Sequence, residues 1–189
     1  MKKLSTLILL AFFSFGCSNS MEKSMNPFFT DYDAPYQIPP FDEVKEDHYM
    51  PAFEKGMKEQ LEEIDQIANN PEQATFENTL VELERTGKTL GKVADVFFNL
   101  LSSNTNEQMD KIAAEVSPKL SAHRDAISLN KKLYERVNVV FEQRNTLGLT
   151  TEQMRLVEET HKGFIRSGVQ LDTPSMEKLT QINQDLSSL

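Results

Sequence analysis

Over residues 75–105, TFENTLVELERTGKTLGKVADVFFNLLSSNT, apolar side chains recur at alternating steps of about three and four: Phe76, Leu80, Leu83, Leu90, Ala94, Phe97 and Leu101. That spacing follows the 3.6-residue turn of an α-helix and gathers the side chains into one stripe. Thr75 stands where an N-cap is needed, and the stripe has one gap, at Gly87. The segment ends in a Phe-Phe-Asn-Leu-Leu cluster and contains no reactive constellation. It reads as scaffold, and it demands other helices to cover its apolar face.

Those helices are legible on both sides. Asp47 is placed to cap a helix striped by Tyr49, Phe53, Met57, Leu61, Ile64 and Ala68, with Pro51 tolerated near its start and Asn69-Asn70-Pro71 as its stop. Thr105 with Gln108 has capping-box spacing for a third helix, striped by Ile112, Val116, Leu120 and Ile127, which Pro118 is expected to kink. Leu133, Val137, Val140 and Phe141 mark a fourth, ending near Gly148. Thr150 with Gln153 opens a fifth, through Met154, Val157 and Phe164 to about Gly168. Thr173-Pro174 opens a sixth with proline at its first position, and Met176, Leu179, Ile182, Leu186 and Leu189 form its stripe. No run of alternating apolar residues appears, so the fold class is all-α. A stripe still apolar at Leu189 predicts a continuation and a packing partner, as if the chain were cut in mid-helix, with an exposed apolar face as the consequence.

The first residues are of another kind. Lys2 and Lys3 precede a mostly apolar run from Leu4 to Phe15, followed by Gly16 and the single cysteine, Cys17. The run is too short to span a bilayer and has the layout of a secretory signal. A cysteine after a small residue at its end resembles a bacterial lipoprotein cleavage site, where the thiol is lipidated, although Ser14 and Phe15 stand where Leu and a small residue are more usual. An ordinary signal peptide with an incidental cysteine, or an uncleaved apolar anchor, are the alternatives. The expected organisation is a lipoprotein-type signal over 1–16, a polar tether over 17–25 and an extended Pro/aromatic arm over 26–41, then a helical region over 42–189. Pro27, Pro35, Pro39 and Pro40 exclude a regular helix from the arm, while Phe28, Phe29, Tyr32, Tyr36 and Phe41 are expected to bury rings against the body.

Chemistry is hard to place on these residues. A formal charge of -9 without a basic stripe argues against nucleic acid. The histidines are His48, His123 and His161, none with a second histidine at H-E-x-x-H spacing. Glu158 and His161 share a helical face and could supply two metal ligands, but a carboxylate-bridged site needs a second such pair, so a solvated charged face is the better reading. His123, in Ala-His-Arg-Asp, fits a hydrogen-bonded structural role, with a small contribution to a cleft as the alternative. No Gly-x-Ser-x-Gly elbow, dinucleotide fingerprint or Walker loop is present. Gly87 and Gly91 suggest close helix packing, the acidic run 59–65 the wet side of the first helix, and Phe97-Phe98 core, with a peptide-binding platform as its alternative.

Several blocks nonetheless form a pattern: Asn26-Pro27-Phe28, Pro39-Pro40-Phe41-Asp42, His48-Tyr49 with Pro51-Ala52-Phe53, and Thr75-Phe76-Glu77-Asn78-Thr79. Val96-Phe97-Phe98-Asn99-Leu100-Leu101-Ser102-Ser103-Asn104-Thr105 is the strongest, followed by Leu120, Ala122-His123-Arg124-Asp125 and Leu129-Asn130. In this order they resemble the N-terminal part of the peptidyl-dipeptidases (dipeptidyl carboxypeptidases) of the thimet-oligopeptidase family of zinc metallopeptidases. The resemblance implies an almost wholly helical, clam-shell enzyme around a deep cleft for short peptides. It also implies zinc held by H-E-x-x-H and a later Glu in a C-terminal half that has no counterpart here. On that reading this segment is one cleft wall, binds no zinc and cleaves nothing alone, and no catalytic or metal residue is carried over. The expected partners are short peptides for the parent enzyme, its C-terminal catalytic half, and a membrane of the bacterial envelope reached through Cys17. The alternative is a small non-catalytic helical lipoprotein acting as a binding or scaffold module.

Overall fold

A computed structural model describes residues 25–187; Cys17, the leader and nearly all of the tether lie outside them, as does Leu189. The described residues contain helices and turns and no strand. Among the described residues seven α-helices follow one another: α1 (Tyr49–Ala68), α2 (Glu82–Arg85), α3 (Lys88–Ser103), α4 (Glu107–Ser128), α5 (Lys131–Gln143), α6 (Thr151–Arg166) and α7 (Thr173–Ser187). α1 lies at the centre, packed against α3, α4 and α5, while α6 packs on α5 and α7 on α4.

The arm departs from a purely extended run. It makes two short 3-10 turns, Pro27–Phe29 and Pro35–Gln37, because proline suits the first position of such a turn. Asn26 fastens its start: the Asn26 side chain accepts from Phe28 N at 3.1 Å and donates to the His48 carbonyl at 2.8 Å. Phe28 is thereby sunk into the core beside Tyr49, with ring centroids 5.6 Å apart. The other rings do not follow it. Phe29 is 38% exposed, Tyr36 97% and Phe41 51%, so the expectation that the arm buries its aromatics holds for Phe28, in part for Tyr32, and fails for the other three. Tyr36 and Gln37 also hold left-handed φ values of 60° and 55°, a conformation that disfavours a bulky side chain.

Tyr49, Phe53 and Phe97 form the densest part of the core. Phe97 meets Tyr49 edge-on at 5.0 Å and Phe53 at 5.3 Å, geometries that favour aromatic pairs. Val93, Val96, Met109, Ile112 and Val116 complete this cluster. α1 and α3 approach so closely here that a Cβ on Gly56 would lie 2.7 Å from the Leu90 backbone nitrogen. The close approach of two backbones is therefore at Gly56, outside the expected pair; a Cβ on Gly91 would meet nothing within 4 Å, while one on Gly87 would meet the Gln60 side chain of α1.

Gly87 has a different task. The single helix expected from Thr75 to Leu101 is broken in two. Thr75 does cap its start, accepting from Asn78 N at 3.1 Å while Asn78 Oδ1 accepts from Thr75 N at 2.8 Å. A wide π-helical turn, Phe76–Val81, leads into α2, which ends where Thr86 turns extended and Gly87 adopts a φ of 75°. α1 stabilises this break, because Glu63 accepts the Gly87 N–H at 2.7 Å and Gln60 donates to Thr86 Oγ1 at 3.2 Å. A side chain at Gly87 would collide with Gln60 and strain the backbone.

Other boundaries shift for local reasons. A 3-10 turn, Glu46–His48, precedes α1, and Lys45 N donates to His48 Nδ1 at 3.1 Å; Asp47 is not the cap. Asn106 replaces Thr105 as the α4 cap, accepting from Gln108 N and Met109 N. α4 continues as one helix through Pro118. α5 ends at Gln143, short of Gly148, and Asp172 rather than Thr173 accepts the Ser175 N–H at the start of α7. In the apolar stripe of α5 lies Arg136, 8% exposed, whose guanidinium donates to the Asn70 and Glu72 carbonyls and to Asn78 Oδ1. That one side chain organises the loop between α1 and the π-helical turn.

Candidate functional site

The residues singled out for chemistry do not converge. His48 is at the start of α1, His123 on α4 facing α1, and His161 on α6 against α5. His123 Nε2 lies 2.7 Å from Gln60 Oε1 and is the donor, since the amide oxygen can only accept. Its Nδ1 is buried without a partner, and burial pushes the imidazole below its ordinary pKa of 6.5. Gln60 continues the chain to Thr86, and the Thr86 hydroxyl donates to the Leu83 carbonyl at 2.9 Å. His123 thus braces the α2–α3 break across α1.

His161 stacks flat on Phe141, with centroids 3.8 Å apart, and its Nε2 is 3.0 Å from Asn138 Oδ1. Arg144 covers Phe141 at 3.8 Å and reaches Glu158 at 3.7 Å. Glu158 is thus turned to an arginine, and among the described residues no three His, Cys, Asp or Glu side chains gather as a metal site requires. In the acidic run, Glu59 pairs with Lys55 and Glu62 with Lys58, but Glu63 is engaged at the α2–α3 break, so the run is not simply a solvated face.

A cavity of about 600 Å³ lies between α4 and α7. That volume is in the range of small-ligand pockets. Phe98 enters it from α3, which divides the Phe-Phe pair: Phe97 is fully buried, Phe98 37% exposed. The α4 side is a polar stripe at four-residue spacing, Ser117, Ser121 and Asp125, with Ser121 and Asp125 buried. Asn183 of α7 donates to both Asp125 oxygens, at 2.9 and 3.1 Å. Arg124 and Arg166 line the same cavity, as do Leu179 and Leu186.

Against this geometry the relatives are informative. The chain is 37% identical over 166 residues, 88% of its length, to the protein named dipeptidyl carboxypeptidase in Escherichia coli strain K12, of which it spans 24%. The same figures hold for the dipeptidyl carboxypeptidase of Salmonella typhimurium. The chain is a relative of the dipeptidyl carboxypeptidases. More distant matches widen the group: a thimet-like oligopeptidase of Dictyostelium discoideum is 29% identical over 141 residues, and oligopeptidase A of E. coli 23% over 164, the chain covering 20% and 24% of them. No protein-family model matches the chain.

In this relative of the dipeptidyl carboxypeptidases, sequence reasoning missed the cavity, although part of its signal was present. The serines and aspartate of α4 recur at helical spacing on a face other than the one holding Ile112 and Val116. A second regular stripe on a long helix, even a polar one, marks a second packed face.

Proposed function

We propose that the chain supplies a cleft wall, the N-terminal part, of a zinc peptidase that releases dipeptides from the C-termini of oligopeptides. The observation behind this reading is the 37% identity over 88% of the chain to dipeptidyl carboxypeptidase. The all-helical build, with a long central α1 flanked by α3, α4 and α5, suits a rigid wall. Zinc and its general base belong, on this reading, to the part of the parent protein that corresponds to the rest of its relatives. We further propose that Cys17 carries a lipid anchor holding the protein at the bacterial cell envelope.

The experiment begins with the coding sequence after Leu189. An open frame encoding H-E-x-x-H is expected. The whole product is expected to release C-terminal dipeptides in a chelator-sensitive way, and the 189-residue chain alone is expected to release none. A stop codon with no split partner, or release by the short chain itself, overturns the proposal and, in the first case, favours a non-catalytic helical lipoprotein. Lipid labelling that persists in Cys17→Ser removes the anchor.

A further inference from the structure

The cavity between α4 and α7 has a charge pattern that the wall reading leaves without a use. Arg124 and Arg166 are both exposed and line it, and neither makes a hydrogen bond or ion pair within the described residues. Glu159, whose carboxyl feels Arg166, is itself held by Arg155 at 3.1 Å and Lys162 at 3.2 Å. The one carboxylate in the lining, Asp125, is 8% exposed and takes both of its short bonds from Asn183. Among the described residues of the lining, two guanidinium forks stand against one committed carboxylate, one positive charge in excess. Guanidinium matches a carboxylate in shape and can bond it in bidentate fashion. Phe98, Leu120, Leu179 and Leu186 give the same lining its apolar part.

We propose that this cavity binds a singly charged carboxylate that carries an adjacent apolar side chain, with Arg124 and Arg166 holding the carboxylate and Phe98 and Leu179 the side chain. A doubly charged phosphate fits less well, because it would exceed the one available positive charge beside Asp125. A free carboxylic acid and the C-terminal residue of a peptide share this chemistry. The inference rests on the cavity lining and not on the proposed peptidase activity.

The test is a titration of the full chain with N-acetylphenylalanine, followed by NMR through the arginine Nε–H resonances. Saturable binding is expected, with N-acetylphenylalaninamide at least about tenfold weaker because it lacks the charge-assisted bonds. Arg124→Gln and Arg166→Gln are each expected to weaken binding about tenfold, and Arg124→Lys to restore part of the loss. N-acetyl-Ala-Ala-Phe distinguishes the sources: tighter binding than the single residue identifies a peptide terminus, equal binding a free acid. Equal affinity for acid and amide, unchanged affinity in both glutamine variants, or no binding at millimolar acid overturns the proposal. These outcomes are independent of any frame beyond Leu189, so the two proposals fail separately.

Discussion

The two faces of α4 are buried by opposite means. Toward α1 and α3 it presents Ile112 and Val116, 5% and 0% exposed, to a dry core of Phe53 and Phe97. Toward α7 it presents Ser121 and Asp125, and the contact is a polar link to Asn183 beside an open cavity. α7 contains no buried residue, and its Ile182 and Leu186 are 44% and 63% exposed. Apolar burial is non-directional and gains from every methylene removed from water, whereas a buried carboxylate must first recover its lost hydration. The first face is therefore suited to hold the fold together, and the second to leave room.

The sharpest way to break this comparison is to truncate the two neighbours that divide between the faces. Phe97→Ala is expected to cost about 3–5 kcal/mol of unfolding free energy in denaturant titrations. Phe98→Ala, at the cavity, is expected to cost about 1–2 kcal/mol. Equal losses would mean that the cavity side is as tightly packed as the core.

A smaller effect is expected where α1 touches α3. Gly56→Ala forces a methyl into the Leu90 backbone and is expected to destabilise by about 1–3 kcal/mol. Gly91→Ala, on the exposed side of the same helix α3, is expected to stabilise by up to about 1 kcal/mol in the same titrations. A neutral Gly56→Ala would show that α1 and α3 can separate without penalty.

The smallest effect is a dependence on pH through His123, two residues before Asp125 but turned to α1. Burial lowers its folded pKa, so the unfolded chain binds the proton more readily. Stability is then complete above the ordinary value of 6.5 and falls as pH drops below it toward the lowered folded value. Unfolding titrations between about pH 5 and 8 should show a shallower slope in His123→Gln than in the parent chain. Some slope remains, because burial also lowers His161. An unchanged slope would remove His123 from the account.

Much of the architecture was legible because helix caps and stripes are local. Thr75 and Thr150 cap through bonds to residues three further on, and both were readable from spacing alone. Tyr49, Phe53 and Ile64 lie on the buried face of α1 as the stripe predicts, whereas Leu61 is 37% exposed and Ile67, outside the expected stripe, is buried. The break at Gly87 was visible only as a gap in periodicity, because what stabilises it, Gln60 and Glu63, comes from another helix.

By itself, then, the chain's sequence determined an all-α body, the helix starts at Thr75 and Thr150, and kinship with the dipeptidyl carboxypeptidases, because period and cap chemistry are set within a few residues. Tertiary structure alone decided that Gly56 rather than Gly91 lies at a close approach, that Phe98 parts from Phe97, and that Arg136 is buried in an apolar stripe. It also brought Arg124, Asp125 and Arg166 to one cavity. Each of these depends on which side chain arrives from a distant segment, and a one-dimensional pattern does not contain that distance.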